Sequence, residues 1–244
     1  VVSQKYKTLK TEGNNNNHIG LPFTILKLQD HEALVIEMGM NHFKEISLLT
    51  NIAKPTLSII TNIGTSHIGN LGSRENILKA KLEILEGMKK PHLIINNDND
   101  LLHNWYENNK ENCDIYTYGI NNDSMLIAEN IKLEERNSIC IVKDNKTEVK
   151  LKIPVGGIHF VYNALCAASV GKILNIEDEK IKKGIENFEL TKKRMDIITL
   201  ENGAQIINDS YNASYESMRA SLEYLGNIKN KNKIAVLGDM FELG

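Results

Sequence analysis

Residues 57–86 read LSIITNIGTSHIGNLGSRENILKAKLEILE, and the fold follows from how this stretch is divided. Residues 57–60 are a short apolar, β-branched run of the kind a buried parallel strand shows. Small and polar residues follow, His67 among them, and Ser73 is a good N-cap for the helix that comes next. At about 100° per residue, Ile77, Ile84 and Met88 share one helix face, and Lys81 falls in the middle of it. Glu75, Lys79, Glu83 and Glu86 lie on the far side. Two readings of Lys81 stand at this point. Its stem can lie on a half-buried face with the amine reaching solvent, or the amine can be aimed into a site beside His67.

Composition bounds the rest. The chain has 244 residues, 41% hydrophobic and 25% charged, which is ordinary for a globular protein with one large or two modest cores. A net charge of −2 offers no electrostatic handle for nucleic acid or an anionic membrane. Cys113, Cys140 and Cys166 are odd in number and include no CxxC pair, which argues against a disulfide framework or a zinc site and for a reducing cytoplasm. No apolar run approaches the ~20 residues of a membrane span, and no signal peptide is visible. Both ends read as cut: VVSQKYKT looks like the end of a helix, and KIAVLGDMFELG like a strand that has just reached its glycine turn.

Outward from the opening stretch, strands and helices alternate. Residues 7–11 read as a strand, followed by the polar loop EGNNNN, whose asparagines suit a solvated turn. Residues 19–28 read as a helix, with Pro22 acceptable in the first turn. ALVIE (33–37) is a strand that ends on Glu37, where open parallel sheets place their ligands. A helix over 44–52, a strand over 92–96, a helix over 100–108 and a strand over 114–118 continue the pattern. The expectation is an α/β fold: a mostly parallel, doubly wound sheet with helices on both faces. Residues 124–154 break the alternation with three short strands and no helix between them, an antiparallel sub-sheet attached to the main one. GGIHFVYNALCAASVGKIL then reads as a helix with Val161, Leu165, Ala168 and Ile173 on its apolar face. His159 and Asn163, four residues apart, project together from its first turn. A further helix over 177–188 closes a first domain, residues 1–193. Residues 194–244 begin a second, Rossmann-like α/β domain, with strands at 195–200 and 204–208 joined by an Asn-Gly turn, a helix over 215–225 and a strand over 233–237.

Glu37 and His67 follow strands that should be neighbours, and a carboxylate with a neutral imidazole can hold Mg²⁺ alongside phosphate oxygens and water. Arg194 suits a transferring phosphoryl group, and Asp209 can accept from ribose hydroxyls. Against nucleotide chemistry stands the lack of any GxxxxGK[ST] or GxGxxG loop. Either the chain handles no nucleotide or the loop lies upstream of Val1.

Seven motifs in order carry a resemblance to the Mur ligase family: GNNNNHIGLP, EMGMNHFKEI, TNIGTSHIGNLGSRENILKAKLEI, GGIHFVYNALCAA, the KRM at Arg194, DSYNAS and VLGDMFELG. It covers essentially the whole chain, and DSYNA with GDMxELG favours the D-alanyl-D-alanine-adding branch. The resemblance implies ATP-dependent peptide-bond formation in peptidoglycan synthesis. The terminal carboxylate of UDP-N-acetylmuramoyl-tripeptide attacks the γ-phosphate of ATP, and the amine of D-alanyl-D-alanine displaces phosphate from the acyl phosphate. It further implies Glu37 and His67 as Mg²⁺ ligands, and Lys81 as the lysine that the family carbamylates to help hold a second Mg²⁺. Lys81, His67 and Arg194 would then be the catalytic residues. His159 and Asn163 would face the adenine end of ATP, Arg194 the γ-phosphate and Asp209 the ribose, with Asn212 a further nucleotide-binding residue. Asn16, Asn17 and Ser66 would lie by the muramoyl-peptide.

Three local departures touch the substrate side: His18 stands where the family usually has Glu, Phe160 where Asn often follows the His, and Tyr215 where Pro is usual. A monomer without nucleic-acid partners is expected, and this segment by itself is expected to be inactive. Other readings are another amide ligase of the superfamily (diaminopimelate- or lysine-adding, or folylpolyglutamate synthase) and a non-catalytic module of the same fold.

Overall fold

In the computed structural model of the chain, described for residues 1–244 except 112, 192, 230, 231 and 241–244, the first element is a 3-10 turn, Val2–Gln4, where a helix end was expected. β1 (Thr8–Lys10) pairs in parallel with β2 (Ala33–Val35) as a two-stranded ribbon of its own. Between them lies α1 (Gly20–Ile25), with Pro22 in its first turn, where no intrahelical N–H is missed. α2 (Glu45–Ala53) leads to β3 (Ser58–Ile60), the strand of the opening stretch, and then come α3 (Ile68–Leu71) and α4 (Arg74–Leu82). Ser73 caps α4 as its sequence suggests, its hydroxyl accepting from Asn76 N at 3.2 Å. A 3-10 turn, Glu83–Gly87, follows α4. Glu83 is buried there and accepts from the N–H groups of Lys44 and Ser47, so a carboxylate distant in sequence caps α2.

The alternation continues through β4 (His92–Asn96), α5 (Asp100–Asn109) and β5 (Asp114–Gly119). The three strands β6 (Leu126–Leu133), β7 (Ser138–Lys143) and β8 (Glu148–Ile153) form the expected antiparallel meander. It is continuous with the main sheet. The order is β3-β4-β5-β6-β7-β8, parallel from β3 to β6 and antiparallel from β6 to β8. The period-2 alternation of β4 splits the interior. Leu93 and Ile95 pack with Ile60, Leu49, Ile77 and Leu102 under α2, α4 and α5. Ile94 faces the other way, toward Tyr118 of β5 and Val161 and Leu165 of α6 (Ile158–Ile173). Helices therefore cover both faces of the parallel strands. α7 (Asp178–Glu186) completes this part. The buried Cys140 and Cys166 are free thiols that burial pushes up to about 11, so they behave as packing residues.

β9 (Asp196–Thr199) and β10 (Gln205–Asn208) form the hairpin announced by Asn202-Gly203, with Gly203 at φ +82°, and α8 (Tyr215–Asn227) follows. The strand expected at 233–237 is not formed. Residues 233–240 are irregular, and Ile234 and Val236 are 85% and 92% exposed. A β-rich run becomes a strand only where a neighbour pairs its backbone, and no described strand does so here. Of the closing motif VLGDMFELG, residues 241–244 lie outside the described residues.

One ion cluster ties the β7–β8 turn to the helices behind it. Lys172 of α6 lies 2.9 Å from Asp144 and 2.7 Å from Asp178. Burial pushes the Asp144 carboxyl up, but Lys172 and the N–H groups of Lys146 and Thr147 outweigh it and hold the group at about 2. A folded-state value below the unfolded one stabilises the fold at pH above ~4, and that stabilisation is lost between pH ~4 and ~2. Asp144→Asn should therefore cost about 2 kcal/mol at neutral pH and remove that part of the acid dependence. Urea unfolding at pH 7 and pH 3 checks both.

Candidate functional site

Five segments distant in sequence converge on one cavity of about 560 Å³. The asparagine loop contributes Asn16, Asn17 and His18, and the segment after β2 contributes Glu37 and Gly39. Glu45 and Leu48 come from α2, His67 from the loop after β3, and Arg194, Tyr211 and Asn212 from the C-terminal part.

The loop that looked like a plain solvated turn holds the site's carboxylate. Asn16 Nδ2 donates to Glu37 Oε1 at 3.0 Å, Asn16 C=O accepts from Gly39 N at 2.8 Å, and Glu37 N donates to Thr11 Oγ1. A Cβ on Gly39 would sit 2.9 Å from the Asn16 side chain, so a larger residue there would push that amide aside. Asn17 does local work as well: its Oδ1 accepts from Ile19 N and Gly20 N at 3.0 and 2.9 Å, turning the chain into α1. His67 is left-handed, at φ +66°, and its C=O accepts from Asn70 N and Leu71 N to start α3. The Arg194 guanidinium lies over the Tyr211 ring, 4.1 Å from its centroid, which orients the fork.

Lys81 does not line this cavity. It is half-buried, and its Nζ donates to Asn62 C=O at 2.8 Å, on the loop that leads to His67. Desolvation lowers its pKa, which raises the share of neutral, nucleophilic amine at a given pH. The same loop is held by Asn99, which donates to Asn62 Oδ1 and Ile63 C=O, and by Arg74, which donates to Ile63 C=O while paired with Asp100. Ser66 is exposed and outside the cavity lining.

His159, Asn163 and Asp209 also lie outside it. His159 is half-buried in the first turn of α6. Burial lowers its imidazole pKa, against an opposing pull from the Asp209 carboxylate. Asp209 Oδ1 accepts from Met195 N at 3.0 Å and Oδ2 accepts from Ser221 Oγ. Asn163 is exposed one turn further along α6. Thus Asn16, Asn17, Glu37, His67, Arg194 and Asn212 share one cavity, while His159 and Asp209 sense each other at a second place. Tyr211 was inside a quoted motif but had no expected role, because stacking under Arg194 leaves no spacing signal.

Among the described residues no group of three or more His, Cys, Asp or Glu is placed to hold a metal. Glu37 and His67 on one cavity supply two donors, a hard oxygen and an imidazole nitrogen. That is too few for a cage made by protein alone, but it fits Mg²⁺, which keeps waters and shares phosphate oxygens. No helix among the described residues is long and apolar enough to cross a membrane.

Comparison with known proteins gives the family. The Mur ligase middle domain family model matches residues 1–171, and that of the Mur ligase glutamate ligase domain matches residues 193–244. The UDP-N-acetylmuramoyl-tripeptide–D-alanyl-D-alanine ligase of Bacillus subtilis is 39% identical over 247 residues, covering 100% of this chain and 52% of the relative. A crystal structure of MurF from Acinetobacter baumannii superposes with a TM-score of 0.93 at 32% identity, over 100% of this chain and 53% of that one. MurF ligase from Thermotoga maritima in complex with ADP gives 0.87 at 26% identity, over 100% and 56%. The chain spans about half the length of the relatives it matches.

Proposed function

Since this chain belongs to the Mur ligase family, we propose that it is the part of a UDP-N-acetylmuramoyl-tripeptide–D-alanyl-D-alanine ligase in which ATP and the peptide carboxylate meet. The observation that carries this reading is the shared cavity, whose lining includes Glu37, His67 and Arg194. Residues 1–193 act as the ATP-binding middle domain and residues 194–244 as the beginning of the C-terminal domain. The ADP bound by the Thermotoga maritima relative supports a nucleotide in this region.

Glu37 and His67 would hold Mg²⁺, and Mg²⁺ when bound neutralises charge on phosphate oxygens. Asn16 keeps Glu37 oriented through its amide, and Arg194, steadied by Tyr211, offers its fork to the phosphoryl oxygens. His159 and Asn163 take the adenine side, Asp209 and Asn212 the ribose side, and Asn16, Asn17 and Ser66 the muramoyl-peptide. Lys81 is the candidate for carbamylation. Its lowered pKa suits attack on CO₂, and its bond to Asn62 places it behind the His67 loop. The arrangement serves alignment and charge compensation, which are what acyl-phosphate formation requires. The enzyme is expected to work as a cytoplasmic monomer.

The test is phosphate release by the full-length protein given ATP and UDP-N-acetylmuramoyl-tripeptide, with amines supplied one at a time. Stimulation by D-alanyl-D-alanine is expected. Stimulation by diaminopimelate, lysine or glutamate instead would move the chain to another amide ligase, and no release with any amine would favour a non-catalytic module.

A further inference from the structure

We propose that Glu216 is a positioning residue that latches the C-terminal part onto the loop carrying His67, and so sets the width of the cavity between His67 and Arg194. Glu216 lies in the first turn of α8 and is half-buried. Its Oε1 accepts from Thr65 N at 2.8 Å and its Oε2 from Thr65 Oγ1 at 3.2 Å, across 151 positions of sequence. An acidic residue in a first turn ordinarily serves its own helix. Here the capping box of Ser214 and Ser217 already serves the start of α8, and the Glu216 carboxylate is turned outward to the other part of the chain.

The receiving side is shaped for it. A Cβ on Gly64 would lie 3.0 Å from Glu216 Oε1, so a bare residue before Thr65 lets the carboxylate close in without being pushed back by a few tenths of an ångström. The loop is also rigid, because Lys81, Asn99 and Arg74 hold residues 62 and 63 from behind. Thr65 is two residues from His67 and Glu216 four from Asn212. At no more than about 3.6 Å per residue, the latch is at most ~7 Å of chain from one wall and ~14 Å from the other. Farther along α8, Tyr224 is buried and its hydroxyl donates to Glu135 C=O on the β6–β7 turn. α8 is thus tied at two points. Without Glu216, Tyr224 remains as a pivot about which the segment bearing Tyr211 and Asn212 can swing away from His67.

This rests on the ligase reading for its kinetic consequence only. Glu216→Ala in the full-length protein should speed hydrogen exchange at the Thr65 amide. It should also lower kcat/KM for ATP about tenfold, the equivalent of about 1.4 kcal/mol, chiefly through KM, with the melting temperature held by the intact capping box. Glu216→Gln keeps an acceptor for Thr65 N and should recover most of the loss. Gly64→Ala, at a position with ordinary backbone angles, should weaken the latch in the same direction and to a smaller extent, by pushing the carboxylate back. Unchanged Thr65 exchange and KM in Glu216→Ala would overturn the latch, as would a Gln variant as impaired as the Ala one. If the unmodified protein releases no phosphate with any amine, the ligase reading fails, and Thr65 exchange still decides the latch.

Discussion

Lys81→Ala in the full-length protein is expected to abolish amide-bond formation, with kcat reduced about a thousandfold or more, the scale of losing a group that stabilises transition-state charge. The physical basis is the position of the amine. It is desolvated, its pKa is lowered, and it is bonded to the carbonyl of Asn62 on the loop that presents His67. Two roles fit that position, and further variants separate them. As a loop anchor, Lys81 acts through its N–H donors, and Lys81→Gln, which retains a donor for Asn62, should keep most of the activity. As a carbamate, it acts as an anion. Lys81→Gln should then be as inactive as Lys81→Ala, and a short-chain carboxylate added to the Ala variant should restore part of the turnover by occupying the space left behind. Phosphate release at saturating ATP measures all three. Near-normal turnover in Lys81→Ala would make the residue a structural one.

Arg194→Ala should lower kcat by about a thousandfold, in the range found where an arginine stabilises a transferring phosphoryl group. Arg194, Glu37 and His67 line one cavity, so the guanidinium is placed to meet phosphoryl oxygens bound there. Arg194→Lys should recover little, because an ammonium has neither the planar fork nor the stacking face that Tyr211 holds at 4.1 Å. The measurement is single-turnover phosphate release, which separates loss of chemistry from loss of ATP binding. A drop in ATP affinity with the chemical rate intact would assign Arg194 to binding alone.

Much of this architecture is legible in the sequence because it is local. The strands at 92–96 and 114–118 and the helix over 100–108 are found within a residue of where periodicity puts them. Ser73 caps the helix it precedes, and Asn202-Gly203 turns the hairpin it announces. The strand expected at 233–237 shows the limit of such reasoning. IAVL has the right residues, but a strand also needs a partner, and none is formed among the described residues. Within the site, Glu37 and His67 stand out by residue type and by following strands, but those strands, expected to be neighbours, pair with β1 and β4 instead of with each other. Tyr211 and Glu216 do not stand out, because stacking and a single cross-chain hydrogen bond leave no pattern along the chain.

By itself, then, the sequence determined most of the order of elements, the cap at Ser73 and the family motifs, all of which depend on preferences acting over a few neighbouring residues. Only the tertiary structure decided that Lys81 bonds Asn62 on the loop before His67, that Asn16 props Glu37, that Arg194 and Asn212 line one cavity with His67, and that Glu216 reaches Thr65. These meetings join residues far apart in sequence. They are set by how the sheet, α6 and α8 pack to bury their apolar faces, and helical or strand periodicity cannot encode that.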